Sequence, residues 1–337
     1  MTQGYSSILI IKPGAIGDLL QITPVIRGLK REYPAARITL LVGSQMTAEL
    51  FRHNPHLTET IVFDRKGEHR SLVGFLSLWR RVRGVRYDLV LNFQRSNIKN
   101  WILVSAALPC RLLIYHKSRK TGIHAVADHL KTLAPLGLST DDLRLEFFPS
   151  PQSETFAETF FRERGLSAKR VVALNPGASH PVNRWDPRQF AALADRLSED
   201  AGIEVMVVGG KEDIPLSDTI AAFSRSSLTL LTGKTTLAEL GSILKRCDLL
   251  VSGDTGPMHL ATAVGTRVVS LFGAADPERT GPVGRGDRVL QAASVSCVPC
   301  RSRKCGNPHY LECMEKITVD EVYQAVIESV GKSNTSC

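Results

Sequence analysis

The chain has 337 residues, too many for one ordinary core and comfortable for two domains of typical size. Hydrophobic residues at 43% and charged residues at 22% exclude a disordered chain, and no stretch approaches the roughly 18 consecutive apolar residues of a membrane helix. The net charge of +9 is unevenly spread: residues 1–150 carry 21 Lys+Arg against 11 Asp+Glu, whereas 151–337 carry 21 against 22. The basic first half is either generic surface charge or a field for a polyanion: nucleic acid, anionic lipid or a phosphorylated saccharide.

Residues 1–7 contain no basic region leading into a long apolar core, so a cytoplasmic protein is expected. From there, short apolar runs at 8–11, 38–42, 60–63, 89–91 and 112–114 read as strands. Amphipathic stretches at 17–32, 72–82 and 98–107 read as the helices between them. Proline and serine cluster at Phe148-Pro149-Ser150-Pro151, the expected join between domains 1–150 and 151–318. The rhythm restarts with strands at 171–174, 205–208, 228–230, 249–251 and 268–271, and with helices near 187–200, 237–245 and 258–264. A last amphipathic helix is expected at 319–330, opening a terminal segment 319–337. Strands alternating with helices define α/β architecture with two doubly wound parallel sheets. Ligands of such sheets bind beyond the carboxyl ends of the strands, on the loops that follow them.

Those loops carry the chemistry. The first strand runs into Lys12-Pro13-Gly14-Ala15-Ile16-Gly17-Asp18, where two glycines allow a tight turn and a helix begins. Asp18 in the first helical turn is either an acid stabilised by the helix dipole or a carboxylate placed to take a proton. The second domain opens with Asn175-Pro176-Gly177-Ala178-Ser179 and then Arg184-Trp185-Asp186-Pro187, in which Arg184 is suited to clamp phosphate oxygens. Later come Gly209-Gly210-Lys211-Glu212-Asp213 and Ser252-Gly253-Asp254-Thr255-Gly256-Pro257-Met258-His259. The last segment suits a phosphate held by helix N–H groups, the Thr255 hydroxyl and the His259 imidazole. Its structural alternative is a capping loop with Asp254 as the N-cap. No Gly-x-Gly-x-x-Gly occurs, which argues against a dinucleotide-dependent dehydrogenase. Gly233-Lys234-Thr235 lacks the upstream glycine of a P-loop, since position 228 is Leu. No Asp-x-Asp occurs either, so the usual carboxylate pair for a diphosphate-bound metal is missing.

Taken in order, Lys12–Asp18, Asn175–Ala178, Arg184-Trp185 and Asp254–His259 resemble the signatures of glycosyltransferase family 9, the ADP-heptose:lipopolysaccharide heptosyltransferases, from about residue 8 to residue 330. The resemblance implies a B-type glycosyltransferase fold of two Rossmann-like domains facing across a cleft. The first domain would receive the acceptor and the second the nucleotide sugar, with the terminal helix packing back on the first. It implies inverting transfer of a heptose from ADP-heptose to the lipopolysaccharide inner core. Asp18 matches the family's proposed general base. Asn175, Gly177, Arg184, Asp254, Thr255, Gly256, Pro257, Met258 and His259 fall in the donor-binding motifs. Glu212 lies near the ribose-binding acid, and Thr235 and Thr236 lie where the nucleotide base is bordered. One departure stands out: the family often has a lysine just before the Arg-Trp pair, and here that position is Asn183. Lys12, Gly14 and Gly17, with the basic Arg65, Lys66, Arg70, Arg95 and Lys99, are candidate acceptor contacts.

Cys297, Cys300, Cys305 and Cys313 are spaced C-x2-C-x4-C-x7-C. They read as a structural zinc or iron site, as disulfides, or as free thiols packing an irregular segment. No metal is expected to be required for catalysis. The mixed run Leu78-Trp79-Arg80-Arg81-Val82-Arg83 suits peripheral contact with the cytoplasmic face of an anionic inner membrane, or is a solvated helix face. The competing readings are transfer of another nucleotide-activated sugar and non-catalytic binding of a nucleotide or polyanion. No recognised nucleic-acid motif is present, so nucleic acid is not an expected partner.

Overall fold

The computed structural model describes residues 4–94, 98–118 and 122–331. The chain divides into two compact units, Met1–Phe148 and Pro149–Cys337.

The first unit is built on strands β1 (Ser7–Ile11), β2 (Arg37–Val42), β3 (Glu59–Val62), β4 (Leu89–Asn92) and β5 (Arg111–Ile114). They form one parallel sheet in the order β3-β2-β1-β4-β5. The central strand β1 is an unbroken apolar run because both its faces are covered. Helices Leu72–Arg83 and Ile98–Ala106 cover one face with Leu78, Val82, Leu103 and Val104. The stretch 17–32 is two helices rather than one, Ile16–Leu20 and Thr23–Glu32. Pro24 sits in the first turn of the second, where its missing N–H costs nothing, and the Thr23 hydroxyl donates to the Leu20 carbonyl at 2.7 Å.

The second unit contains β6 (Val171–Asn175), β7 (Glu204–Val207), β8 (Thr229–Leu230), β9 (Leu249–Gly253), β10 (Arg267–Phe272) and β11 (Arg288–Gln291). Its parallel sheet runs β11-β10-β9-β6-β7-β8. The edge strand β11 was not legible in the sequence, because it is short, half-buried and preceded by a glycine-rich turn. Helix Pro187–Ala201 starts on the Asp186 N-cap with proline in its first turn and stops at Gly202, which adopts the left-handed conformation. Trp185, just before that helix, is buried against Phe190, and its indole N–H donates to the Ile317 carbonyl at 2.9 Å.

The terminal helix Val319–Val330 belongs to the second unit. It packs in its own unit, against helix Pro187–Ala201 and strands β9, β10 and β11. The reason is its apolar stripe: Val322, Ala325, Val326 and Val330 belong to the core of the second sheet. Arg196 pairs with Asp320, and Arg288 with Glu328 at 2.7 Å. No described helix is long and apolar enough to cross a membrane.

Candidate active site

In the second sheet β6 and β9 are neighbours, and the chain leaves them toward opposite edges, which makes their carboxyl ends a topological switch point. Asn175 and Ser252 are register partners there. The Asn175 amide donates to Ser252 Oγ at 2.9 Å and to Thr255 Oγ1 at 3.1 Å, with a longer contact to the Gly177 carbonyl at 3.4 Å. Ser252 Oγ and Thr255 Oγ1 are themselves 2.9 Å apart. One buried amide thus ties the loops after β6 and β9 together, while its own Oδ1 has no hydrogen-bond partner.

Thr255, not Asp254, is the N-cap of helix Gly256–Val264, its hydroxyl accepting from the Met258 N–H at 3.4 Å. Pro257 offers no N–H, the Met258 N–H serves the cap and the His259 N–H points to the Thr255 carbonyl at 3.5 Å, which leaves the Gly256 N–H as the outermost donor at this helix start. Asp254 instead accepts from the Thr280 hydroxyl at 3.0 Å and lies 4.0 Å from His259 Nε2. His259 is almost buried and the Met258 side chain fully so. Met258 therefore serves the core, and only its backbone N–H belongs to the loop.

The loops after β6 and β7 close over a residue that the sequence reading left out of the site. Asp213 is buried, accepts from the Gly210 N–H at 3.0 Å, and has its carboxyl pushed up from the usual range by burial. It lies so close to Gly177 that a β-carbon there would meet the carboxylate at 2.4 Å, so a side chain at 177 requires Asp213 or the loop to shift. Glu212, one residue earlier, is exposed beyond the end of β7. Arg184 turns its guanidinium onto the Ala178 carbonyl, with Nη2 at 3.0 Å and Nε at 3.2 Å, and thereby braces the Pro176–Ser179 loop. Thr235 and Thr236 follow β8. The Thr236 hydroxyl is engaged in capping helix Leu237–Arg246, bonded to the Glu239 carboxylate at 2.9 Å.

The first sheet has its own switch point, between β1 and β4. Lys12 leaves β1 as a buried lysine, and its ammonium lies 3.4 Å from Asp18 Oδ1. The Asp18 side chain is 51% exposed, so it is anchored on one side and open to solvent on the other. Gly14 lies against the pair: a β-carbon there would sit 3.1 Å from Asp18 Cβ and 3.3 Å from Lys12 Cε. Gly17 accepts from the Gln21 N–H within the short helix. Behind the pair lies His129, which no motif announced. Burial and the Lys12 ammonium push its imidazole down to about 3, against smaller opposing contributions from Asp18, Gln21 and Asp128. It stacks near Tyr115, whose hydroxyl donates to Asp128 at 2.8 Å.

Arg65, Lys66 and Arg70 are exposed on the loop after β3, and the Lys99 ammonium sits 5.4 Å from the centre of the Phe75 ring. Arg95 lies outside the described residues. The run 78–83 is not a surface stripe, since Leu78 and Val82 are in the core. The four cysteines line one cavity of about 430 Å³, together with Val182, Asn307 and Glu312. Among the described residues no group of three or more His, Cys, Asp or Glu side chains is placed to hold an ion. Cys313 is buried beside Gly273 while Cys297 and Cys300 are exposed, and burial together with the neighbouring Cys297, Cys305 and Cys300 pushes the Cys313 thiol up from its usual range.

Two parallel α/β sheets, each with a glycine-bearing loop and a helix start at its switch point, make a pair of Rossmann-like domains, the architecture of the B-type glycosyltransferases. Comparison with known proteins narrows this. The model of "Glycosyltransferase family 9 (heptosyltransferase)" matches residues 75–311, and the chain belongs to that family. It is 30% identical to lipopolysaccharide heptosyltransferase 3 of Escherichia coli K12 over 324 residues, covering 88% of this chain and 90% of that one. Among solved structures it resembles the family 9 glycosyl transferase of Veillonella parvula, with TM-score 0.88, 24% identity and 99% of both chains covered. It also resembles E. coli ADP-heptose lipopolysaccharide heptosyltransferase II, with TM-score 0.77, 20% identity, and 98% of this chain and 100% of that one covered.

Proposed function

We propose that the protein transfers a heptose, with inversion, from ADP-heptose to the phosphorylated inner core of a lipopolysaccharide precursor at the cytoplasmic face of the inner membrane. The observation that carries this is the Asp18 carboxylate, held by the buried Lys12 at a sheet switch point and half open to solvent in a chain of this family. An acceptor hydroxyl gives its proton to Asp18 as its oxygen bonds to the anomeric carbon on the face opposite ADP. The bond from that carbon to the β-phosphate oxygen breaks, and ADP departs with the electron pair. Its growing charge is met at the start of helix Gly256–Val264 by backbone N–H and by His259, on a loop that the Thr255 hydroxyl holds in place. Asn175 keeps the two phosphate-facing loops in register. Glu212, Thr235 and Thr236 are assigned to the ribose and base, and Arg184 to bracing the loop beside them. The absence of an Asp-x-Asp pair supports transfer without a divalent ion. The basic first half, with 21 Lys+Arg against 11 Asp+Glu, suits an acceptor rich in phosphates.

The test is ADP release from ADP-heptose in the presence of a water-soluble, deacylated inner-core acceptor, with and without chelator, alongside calorimetric titration of ADP and UDP. Release that needs the acceptor, persists in chelator and accompanies binding of ADP but not UDP supports the reading. Binding of UDP instead would reassign the donor, and no release with any acceptor would remove the enzymatic reading.

A further inference from the structure

Large apolar side chains are exposed together on two neighbouring helices of the first unit. On helix Leu72–Arg83, Leu72 is 87% and Val73 82% exposed, followed one turn on by Leu76; on helix Ile98–Ala106, Ile98 is 77% exposed, followed by Trp101 and Ile102. The two helices cover the same face of the sheet and touch, with Lys99 of one seated over the Phe75 ring of the other. The exposed residues therefore form one surface rather than six isolated ones. They are at the start of the helices that follow β3 and β4, so they lie at the carboxyl edge of the sheet, the same edge that carries Asp18.

The segment that carries this surface is rich in cations. Residues 64–101 hold nine Lys+Arg against three Asp+Glu, the densest part of the basic half. Arg81 is paired with Glu59, and Arg83 is tied to the Ala106 and Leu108 carbonyls. The side chains of Arg65, Lys66, Arg70 and Arg80 have no such partner among the described residues. The loop bearing the first three is held in shape by Asp64, whose Oδ1 accepts from the Lys66 and Gly67 N–H groups, and by His69 Nδ1, which accepts from the Asp64 N–H. Soluble surfaces seldom keep contiguous exposed aliphatic and aromatic groups without a use. Apolar side chains in one segment with unpaired cations match a bilayer bearing anionic headgroups: the former enter the acyl boundary and the latter meet the phosphates.

We infer that the N-terminal turns of helices Leu72–Arg83 and Ile98–Ala106, with the Arg65–Arg70 loop, dock the protein on an anionic lipid surface and set the Asp18 edge of the first sheet toward that membrane. The inference deepens the proposed function, in which the acceptor is itself a membrane glycolipid, by naming the face that meets the bilayer. It replaces the run 78–83 with residues that are in fact exposed.

The experiment is co-sedimentation of the full chain with vesicles of phosphatidylethanolamine and phosphatidylglycerol, compared with phosphatidylcholine alone. Wild type should pellet with the anionic vesicles and less with the neutral ones. Leu72→Asp combined with Ile98→Asp should lower partitioning by about tenfold or more, because two apolar contacts are replaced by repelled charges. Both positions are exposed, so circular dichroism and melting temperature should stay at wild-type values. Quenching of tryptophan emission by brominated lipid gives a second readout through Trp101. Wild type remaining in the supernatant, or the double variant pelleting like wild type, overturns the inference. So does conversion of a self-associated protein to a monomer by the variant without any vesicle binding, which would make the face a contact between copies. Turnover of the deacylated acceptor needs no membrane, so its failure would remove the proposed function while leaving the vesicle result standing.

Discussion

The two switch points of this protein use the same backbone device in opposite ways. Between β1 and β4 the loop presents an ionisable side chain: Asp18 faces solvent, fixed from below by a buried lysine. Between β6 and β9 the conspicuous polar side chains face inward. Asn175, Ser252 and Thr255 bond to one another and are buried, which leaves backbone N–H groups as the outward chemistry. A proton acceptor must touch its substrate through a side chain and keep a path to it. A diphosphate seat works better when rigid amides do the binding and the side chains hold the loop still.

The comparison breaks most readily at Asp18. Asp18→Asn should lower the rate of transfer by about 10²–10⁴-fold, the range for loss of a general base, while ADP affinity measured by calorimetry stays at the wild-type value. Equal loss of ADP binding would show that the first loop also serves the donor. The next largest effect concerns His129. The folded protein keeps this imidazole neutral down to about pH 3, whereas an unfolded chain protonates it near 6.5. The unfolded state thus binds more protons between those values, and stability falls as pH falls through that window, by about 5 kcal/mol in total. In His129→Leu the acid limb of a pH–melting profile should flatten; an unchanged limb would place the acid-sensitive group elsewhere.

In the second unit Gly177→Ala should shift the Asp213 carboxylate or the loop itself, because the new methyl has no room. ADP affinity should fall about tenfold or more, with the transfer rate at saturating donor less affected, as seen in the split between KM and kcat. The smallest effect is expected for Thr255→Ala, which removes a helix cap worth about 1 kcal/mol and should lower the melting temperature by a few degrees. If ADP affinity is untouched in that variant, the Thr255 hydroxyl is purely structural and the backbone alone forms the seat.

Much of this was legible beforehand. Strand β1 and its loop, the Asn175–Gly177 turn and the Asp254–His259 segment stand out because apolar runs ending in glycine and small residues have few other uses in a parallel sheet. Three features needed the local geometry. Asp254 looks like a cap until the helix start shows Thr255 one residue later. Met258 travels with its motif although its side chain is core. The cysteine spacing permits a metal centre, yet spacing does not fix where thiols point.

Sequence by itself determined the alternation of strands and helices, the two-domain division of labour in charge, and the loops worth inspecting. Each depends on short-range periodicity or on residue type at a turn. Only the tertiary structure decided that Asp213 underlies Gly177 and that His129 sits behind Lys12 and Asp18. It also decided that the last helix belongs to the second core, and that Leu72 and Ile98 share one exposed surface. Those facts join residues distant in the chain, and burial is set by what the fold brings against a side chain, which no local pattern encodes.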